Sequence, residues 1–198
     1  MRFKWFIPPI LAVGLFAAAV PVFSQVVPSY YARGIPVSVG VGPSIWDVDW
    51  GRGHMLGGTG WVDWYPGRVQ SFVHGLGIEF EVRDVHLNRG YGQMNIRQDT
   101  AGGGPIYTPH VRGRFHPYAK FLVAQGSMDF TSPSPTYSHD TRMLIAPGGG
   151  LEYRFAGPFK VRVDYEYQVW IGKLLGNTPT PSGFTFGFAY DLSHPQGR

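Results

Sequence analysis

From Lys160 to Val169 the chain alternates without a lapse. Val161, Val163, Tyr165, Tyr167 and Val169 take one side; Lys160, Arg162, Asp164, Glu166 and Gln168 take the other. A period of two residues is that of a β-strand, whose side chains point in turn to opposite faces. A second alternating run, from Gly148 to Phe155, precedes it, and Ala156-Gly157-Pro158 joins the two as a tight turn. One face of this hairpin is too charged for an ordinary core, and the other is bulky and aromatic. Such a hairpin suits a transmembrane β-barrel, which has lipid on its outside and a polar interior.

Composition points the same way. Of the 198 residues, 28 are glycine, 16% are aromatic and only 15% are charged. That balance fits a β-rich membrane protein better than a soluble helical domain. There is no cysteine, so neither a disulfide nor a thiolate metal site holds the fold. Residues 1–24 read as a secretory signal peptide. Arg2 and Lys4 form its basic start, Phe6–Val20 its apolar stretch, and small residues follow; cleavage is expected after Ser24, with Ala19 as the alternative. An uncleaved anchor is disfavoured by Pro8, Pro9 and Pro21, which weaken a spanning helix. No later apolar run is long enough to span as a helix. The formal charge is +4, and Arg2 and Lys4 supply two of those charges. The remaining chain carries about +2, too little to argue for nucleic acid as a partner.

Read in order, residues 25–35 form a flexible lead-in, and the barrel is expected over residues 36–192. The first strand starts at Pro36 and bends at Pro43. The second runs from Met55 to Tyr65 and ends at the turn Pro66-Gly67, and the third from Ser71 to His86. Leu87–Gly104 reads as a long polar loop, Pro105–Phe115 as the fourth strand, His116-Pro117 as a turn and Tyr118–Phe130 as the fifth strand. Thr131–Asp140 is a loop, and the sixth strand begins near Thr141. The eighth covers Gly183–Leu192, and residues 193–198 are a periplasmic tail. Short turns follow strands two, four and six, and longer loops follow three, five and seven, as in outer-membrane barrels. The expected fold is all-β: an eight-stranded antiparallel transmembrane up-and-down β-barrel.

The segments His116-Pro117-Tyr118-Ala119-Lys120, Gly148–Phe155 and Arg162–Gln168 carry a resemblance. The chain resembles the small eight-stranded outer-membrane β-barrels of the OmpA/OmpX type, the outer membrane protein beta-barrel domain or porin family, over about Pro36 to Leu192. The resemblance implies residence in the outer membrane of a Gram-negative-type bacterium after signal-peptide cleavage. It also implies contact with outer-membrane lipid and lipopolysaccharide. Thr185, Gly187, Tyr190 and Leu192 match the last-strand signal read by the barrel-assembly machinery in that family.

Charges of inward parity are Asp63, Glu79, Glu81, Arg83, Arg112, Arg114, Lys120, Glu152, Arg154, Lys160, Arg162, Asp164 and Glu166. An eight-stranded barrel is only wide enough for side chains to fill, so these groups are expected to pair as a plug. A narrow ion path is the competing reading. Trp50, Trp64, Tyr65 and Trp170, with Trp61, Tyr118 and Phe115, fall near strand ends and read as interfacial girdles, although Trp61 has inward parity. Ser138-His139-Asp140 holds the residue types of a hydrolase triad. Three consecutive residues diverge, however, and the segment reads as a solvated loop. The seven histidines show no paired ligand spacing, so neither metal nor cofactor is expected. Arg89, Tyr91 and Arg97 in the 87–104 segment are candidates for lipopolysaccharide contact. The reading is a non-enzymatic, monomeric outer-membrane barrel with a structural, adhesive or surface-interaction role. A porin-like channel, a lipid-modifying enzyme and a soluble periplasmic ligand-binding barrel are the alternatives.

Overall fold

Strict alternation over most of the chain leaves each strand one face for lipid and one for an interior, and closing the sheet satisfies both. In the computed structural model the described residues are 36–47, 53–66, 75–87, 95–109, 113–131, 137–172 and 178–192. They fall within one unit, Arg33–Arg198. The expected signal peptide, lead-in and tail lie outside the described residues.

The strands are β1 (Val37–Asp47), β2 (His54–Trp64), β3 (Leu76–Leu87), β4 (Asn95–Tyr107), β5 (Phe115–Thr131), β6 (Tyr137–Ala156), β7 (Phe159–Tyr167), β8 (Val169–Trp170) and β9 (Ser182–Asp191). Every pairing is antiparallel. Neighbours follow chain order, β9 returns to β1, and β5 pairs with β6 to close the ring. β7 and β8 both pair with β6 and are parted only at Gln168. There Gln168 N–H donates to the Pro181 carbonyl (2.9 Å) and Trp170 N–H to the Pro179 carbonyl (3.1 Å). The prolines have no N–H to return, so the ladder is one-sided. β7 and β8 are therefore one stave, and the barrel has eight. Pro43 lapses from the β1–β9 ladder for the same reason. The first and last strands meet at one end, where Leu192 N–H donates to the Val37 carbonyl at 2.9 Å.

The outward face is apolar: Val41, Val62, Phe80, Val82, Phe121, Val123, Val163, Tyr165, Phe184, Phe186 and Phe188 are all exposed. So much contiguous apolar surface belongs in lipid rather than water. Among the described residues no helix is long and apolar enough to cross a membrane.

Several boundaries differ from the sequence expectation. The fourth strand is Asn95–Tyr107, so most of the expected 87–104 loop is sheet. Its glycines and its outward Arg97 and Asp99 hide the alternation of Ile96, Gln98 and Thr100, which are buried. His116-Pro117 lies inside β5 rather than in a turn, and β6 begins at Tyr137 inside the expected 131–140 loop. Ser138, His139 and Asp140 are thus strand residues. The expected alternation of short and long connections is absent. The connection 65–75 is long, whereas 157–158 is a two-residue turn in which Gly157 takes a positive φ of 50°.

Candidate functional site: the barrel lumen

The inward side chains divide the interior into two halves. Toward the end where the first and last strands meet, it is ionic. Lys120 on β5 projects to the middle of the lumen, and its ammonium is shared by carboxylates from two strands. It meets Glu79 (3.0 Å) and Glu81 (2.6 Å) on β3, and Asp164 (3.0 Å) and Glu166 (3.1 Å) on β7. Glu81, Asp164 and Glu166 lie close enough together to hold a metal ion, but the lysine already supplies the positive charge there. Arg162 on β7 reaches across to Asp63 on β2 (3.2 Å) and Glu79 on β3, and also meets Asp164 (3.3 Å). Arg83 on β3 donates to Glu166 on β7 (2.9 Å), to Glu81, and to the Thr59 hydroxyl (3.0 Å). The Tyr118 hydroxyl donates to Asp164 and accepts from Arg162 Nε at 2.6 Å. Nearer the strand-end mouth, Lys160 is shared by Glu152 (3.3 Å) and Asp191 (3.5 Å).

Toward the other end the lumen turns apolar. Gln98 and Gln168 bond side chain to side chain at 2.8 Å, and Trp170 Nε1 donates to Gln168 at 3.2 Å. Beyond them Trp46, Met55, Val85, Leu87, Ile96, Met128, Phe130, Leu144 and Trp170 pack into one buried cluster. One guanidinium, that of Arg83, bridges the halves, and that of Arg162 stacks within the ionic one. Arg83 lies 3.9 Å over the Trp46 ring, and Arg162 lies over Trp61 (4.8 Å) and Tyr118 (4.3 Å).

Each of three buried tryptophans is seated on glycine. A Cβ on Gly187 would stand 2.4 Å from Trp61 Cη2, and Gly40 lies under the same indole. Gly183 takes Trp46, and Gly126 takes Trp170. In the sequence Gly187 stands out only as part of the last-strand signal, and Gly40, Gly126 and Gly183 carry no mark of a socket. The useful signal was three interior tryptophans and their facing glycines, on strands far apart in the chain.

The structure sorts the expected site residues. Asp63, Glu79, Glu81, Arg83, Lys120, Glu152, Lys160, Arg162, Asp164 and Glu166 are buried in the lumen. Arg154 is half-buried at its mouth, 3.2 Å from Asp191. Arg114 does not face the lumen: it is exposed just before β5, because the turn lies there and not at His116-Pro117. Arg112 and Trp50 lie outside the described residues, as do Arg89 and Tyr91. Trp170 and Tyr118 are interior rather than interfacial, because their parity is inward and the lumen holds partners for their polar atoms. Trp64 and Phe115 do face outward near the strand-end mouth. There Phe115 packs on Tyr153 (4.8 Å) and Phe159 on Tyr190 (5.3 Å). The Tyr65 hydroxyl pairs with Thr108 at 3.0 Å, and burial raises its pKa above the ordinary tyrosine value. In β9, Thr185 and Gly187 face inward and Tyr190 outward, and Leu192, just past the strand, is exposed. At the opposite end, Arg97 lies on the outer surface between Asp84 (3.0 Å) and Asp99 (3.2 Å).

Known proteins can be compared with this geometry. The family model for the outer membrane protein beta-barrel domain matches residues 10–191. No curated protein sequence matches significantly. Neisserial surface protein A is similar in structure at 12% identity, over 78% of this chain and 95% of that one, with a TM-score of 0.60. Ail, the attachment invasion locus protein of Yersinia pestis, is similar at 16% identity over 78% and 95%, with a TM-score of 0.52. The outer membrane enzyme PagL is similar at 12% identity over 78% and 99%, with a TM-score of 0.50. At these identities the likeness is one of fold, and the fold is shared by surface proteins and an enzyme alike.

Proposed function

The chain belongs to the outer membrane protein beta-barrel domain family, and on that premise we propose that it is a sealed outer-membrane barrel with a structural or surface-interaction role. One observation carries this reading: the Lys120 ammonium lies in mid-lumen between carboxylates of β3 and β7. Buried ions that satisfy one another do not separate cheaply, because removing one partner of such a set costs about 3–5 kcal/mol. The apolar cluster at the far end of the lumen offers a permeant ion no ligands. Both halves oppose a conducting path, so the porin-like reading ranks second.

The exposed aliphatic and aromatic face meets membrane lipid, and the end of the barrel away from Val37 and Leu192 meets the exterior with its lipopolysaccharide. The last strand presents Tyr190 outward, with Leu192 exposed just past it, where the assembly machinery of a Gram-negative-type cell would read them after the signal peptide is removed. The test is planar-bilayer recording on full-length protein that migrates as a heat-modifiable band. The expected result is no unitary conductance. Reproducible single-channel steps would overturn the sealed-lumen reading in favour of a channel. Recovery in the periplasmic supernatant, with no heat-dependent shift, would overturn the membrane reading itself.

A further inference from the structure

The outward face of β5 and β6 carries a cluster that the sealed lumen does not explain. Along that face Phe121 and Val123 on β5, and Met143 on β6, are exposed apolar residues. They give way, toward the end of the barrel away from Val37 and Leu192, to Ser127 and Asp129 on β5, and to Thr141 and His139 on β6. The change marks the boundary between hydrocarbon and headgroups. Register sets Asp129 opposite His139 and Ser127 opposite Thr141. In that square the imidazole bridges the strands: Nδ1 meets the Asp129 carboxylate, and Nε2 lies 3.1 Å from Thr141 Oγ1. Ser127 Oγ is 3.4 Å from Nδ1. The His139 side chain is 51% exposed and Asp129 18%, so the ring opens to the interface while its carboxylate is shielded.

A carboxylate on one imidazole nitrogen and a hydroxyl on the other is the arrangement that activates a hydroxyl. The carboxylate holds the proton on Nδ1, so that Nε2 carries the lone pair that accepts the hydroxyl proton. We propose that Thr141, His139 and Asp129 form a hydrolytic site facing the headgroup layer, acting on fatty-acyl esters of membrane lipids. Thr141 is the nucleophile, His139 the general base and Asp129 a positioning residue. Thr141 Oγ bonds to the ester carbonyl carbon as its proton passes to Nε2. The carbonyl's bond to the lipid oxygen then breaks, and the alcohol leaves with that proton. Water, giving a proton to His139, cleaves the Thr141 ester and releases the fatty acid; the proton returns to Thr141 Oγ. Ester and water become acid and alcohol, with no oxidant or reductant. The location selects the substrate. Ester carbonyls of bilayer lipids lie at this boundary, and the exposed Phe121, Val123 and Met143 give an acyl chain an apolar wall just below.

This inference is independent of the lumen reading. The test reconstitutes the full chain, checked for its heat-dependent shift, into vesicles of a diacyl phosphatidylethanolamine or of lipopolysaccharide, and follows fatty-acid release by mass spectrometry. Release from one vesicle type names the lipid source. His139→Asn and Thr141→Val are expected to lower the rate by about 10²-fold or more. Asp129→Asn is expected to lower it, with Asp129→Glu restoring it, a rescue that a purely structural role would not give. An alkyl fluorophosphonate should add its mass at Thr141. The variants lie on the outer surface, so the gel shift reports whether they fold. No release from either vesicle and no adduct on shifted protein overturns the proposal. Release that survives both Thr141→Val and His139→Asn overturns it as well.

Discussion

Lys120 concentrates the energetics of the lumen in one atom. Its Nζ lies within 3.1 Å of four carboxylates, all buried. Lys120→Met keeps the stem and deletes the charge, leaving those acids to repel one another. The expected loss is about 3–5 kcal/mol, read as a lower urea midpoint for unfolding from detergent micelles. Arg97→Met removes exposed ion pairs at the outer surface and is expected to cost less than about 1 kcal/mol. Equal midpoints for the two variants would contradict the assignment. Parity along β3 and β7 made the inward direction of Glu79, Glu81, Arg83, Arg162, Asp164 and Glu166 readable in the sequence. The pairings were not readable. Arg162 finds Asp63 and Glu79, and Arg83 finds Glu166, across strands that share no local signal. Trp170 reads as a girdle residue because a tryptophan at a strand end suits either place, and only its Gly126 socket and its bond to Gln168 separate the two cases.

At the level of the strand, glycine is what the sequence conceals. The first ten residues of β4, Asn95–Gly104, read as loop because Gly102, Gly103 and Gly104 interrupt their alternation. Yet a Cβ at Gly102 would lie 2.3 Å from the Ala124 Cβ, and one at Gly104 would lie 2.1 Å from the Phe121 carbonyl oxygen. Those residues are small because the neighbouring strand is close, not because the chain turns there. β9 makes the same point. Gly187 matches an assembly signal in sequence and seats the Trp61 indole in structure. Gly187→Val would drive that indole off Arg162 as well, since the two are stacked. The expected cost is about 1–3 kcal/mol of overpacking. It should appear as a lower temperature for loss of the fast-migrating band, together with a shifted tryptophan emission. Gly157→Val, in the turn, meets nothing within 4 Å; it is expected to change stability through its positive φ alone and to leave the emission in place. Identical emission shifts in the two variants would refute the socket.

As a whole molecule the protein is a ring whose strongest contacts span its diameter. Arg83 and Glu166 stand on β3 and β7, four staves apart in either direction. Arg162 reaches from β7 to β2 and β3. The number of staves and their order were legible from alternation, because lipid and lumen impose opposite chemistry on successive residues. Connection lengths were not, because Pro66-Gly67 marks where β2 stops without setting how far off β3 begins, and His116-Pro117 carries turn composition inside a strand. The cross-ring contacts make loss of structure a single event. In a urea titration, tryptophan emission and gel mobility are expected to change at one midpoint, and two separated midpoints would contradict this. The same geometry governs how the chain enters a membrane. A half-formed sheet leaves Arg83 without Glu166, and Arg162 without Asp63 and Glu79, so it rests poorly in hydrocarbon at a partial stage. The ion pairs thus act as a proofreading step, since only a ring with every strand in register brings each cation to its acids and becomes soluble in lipid.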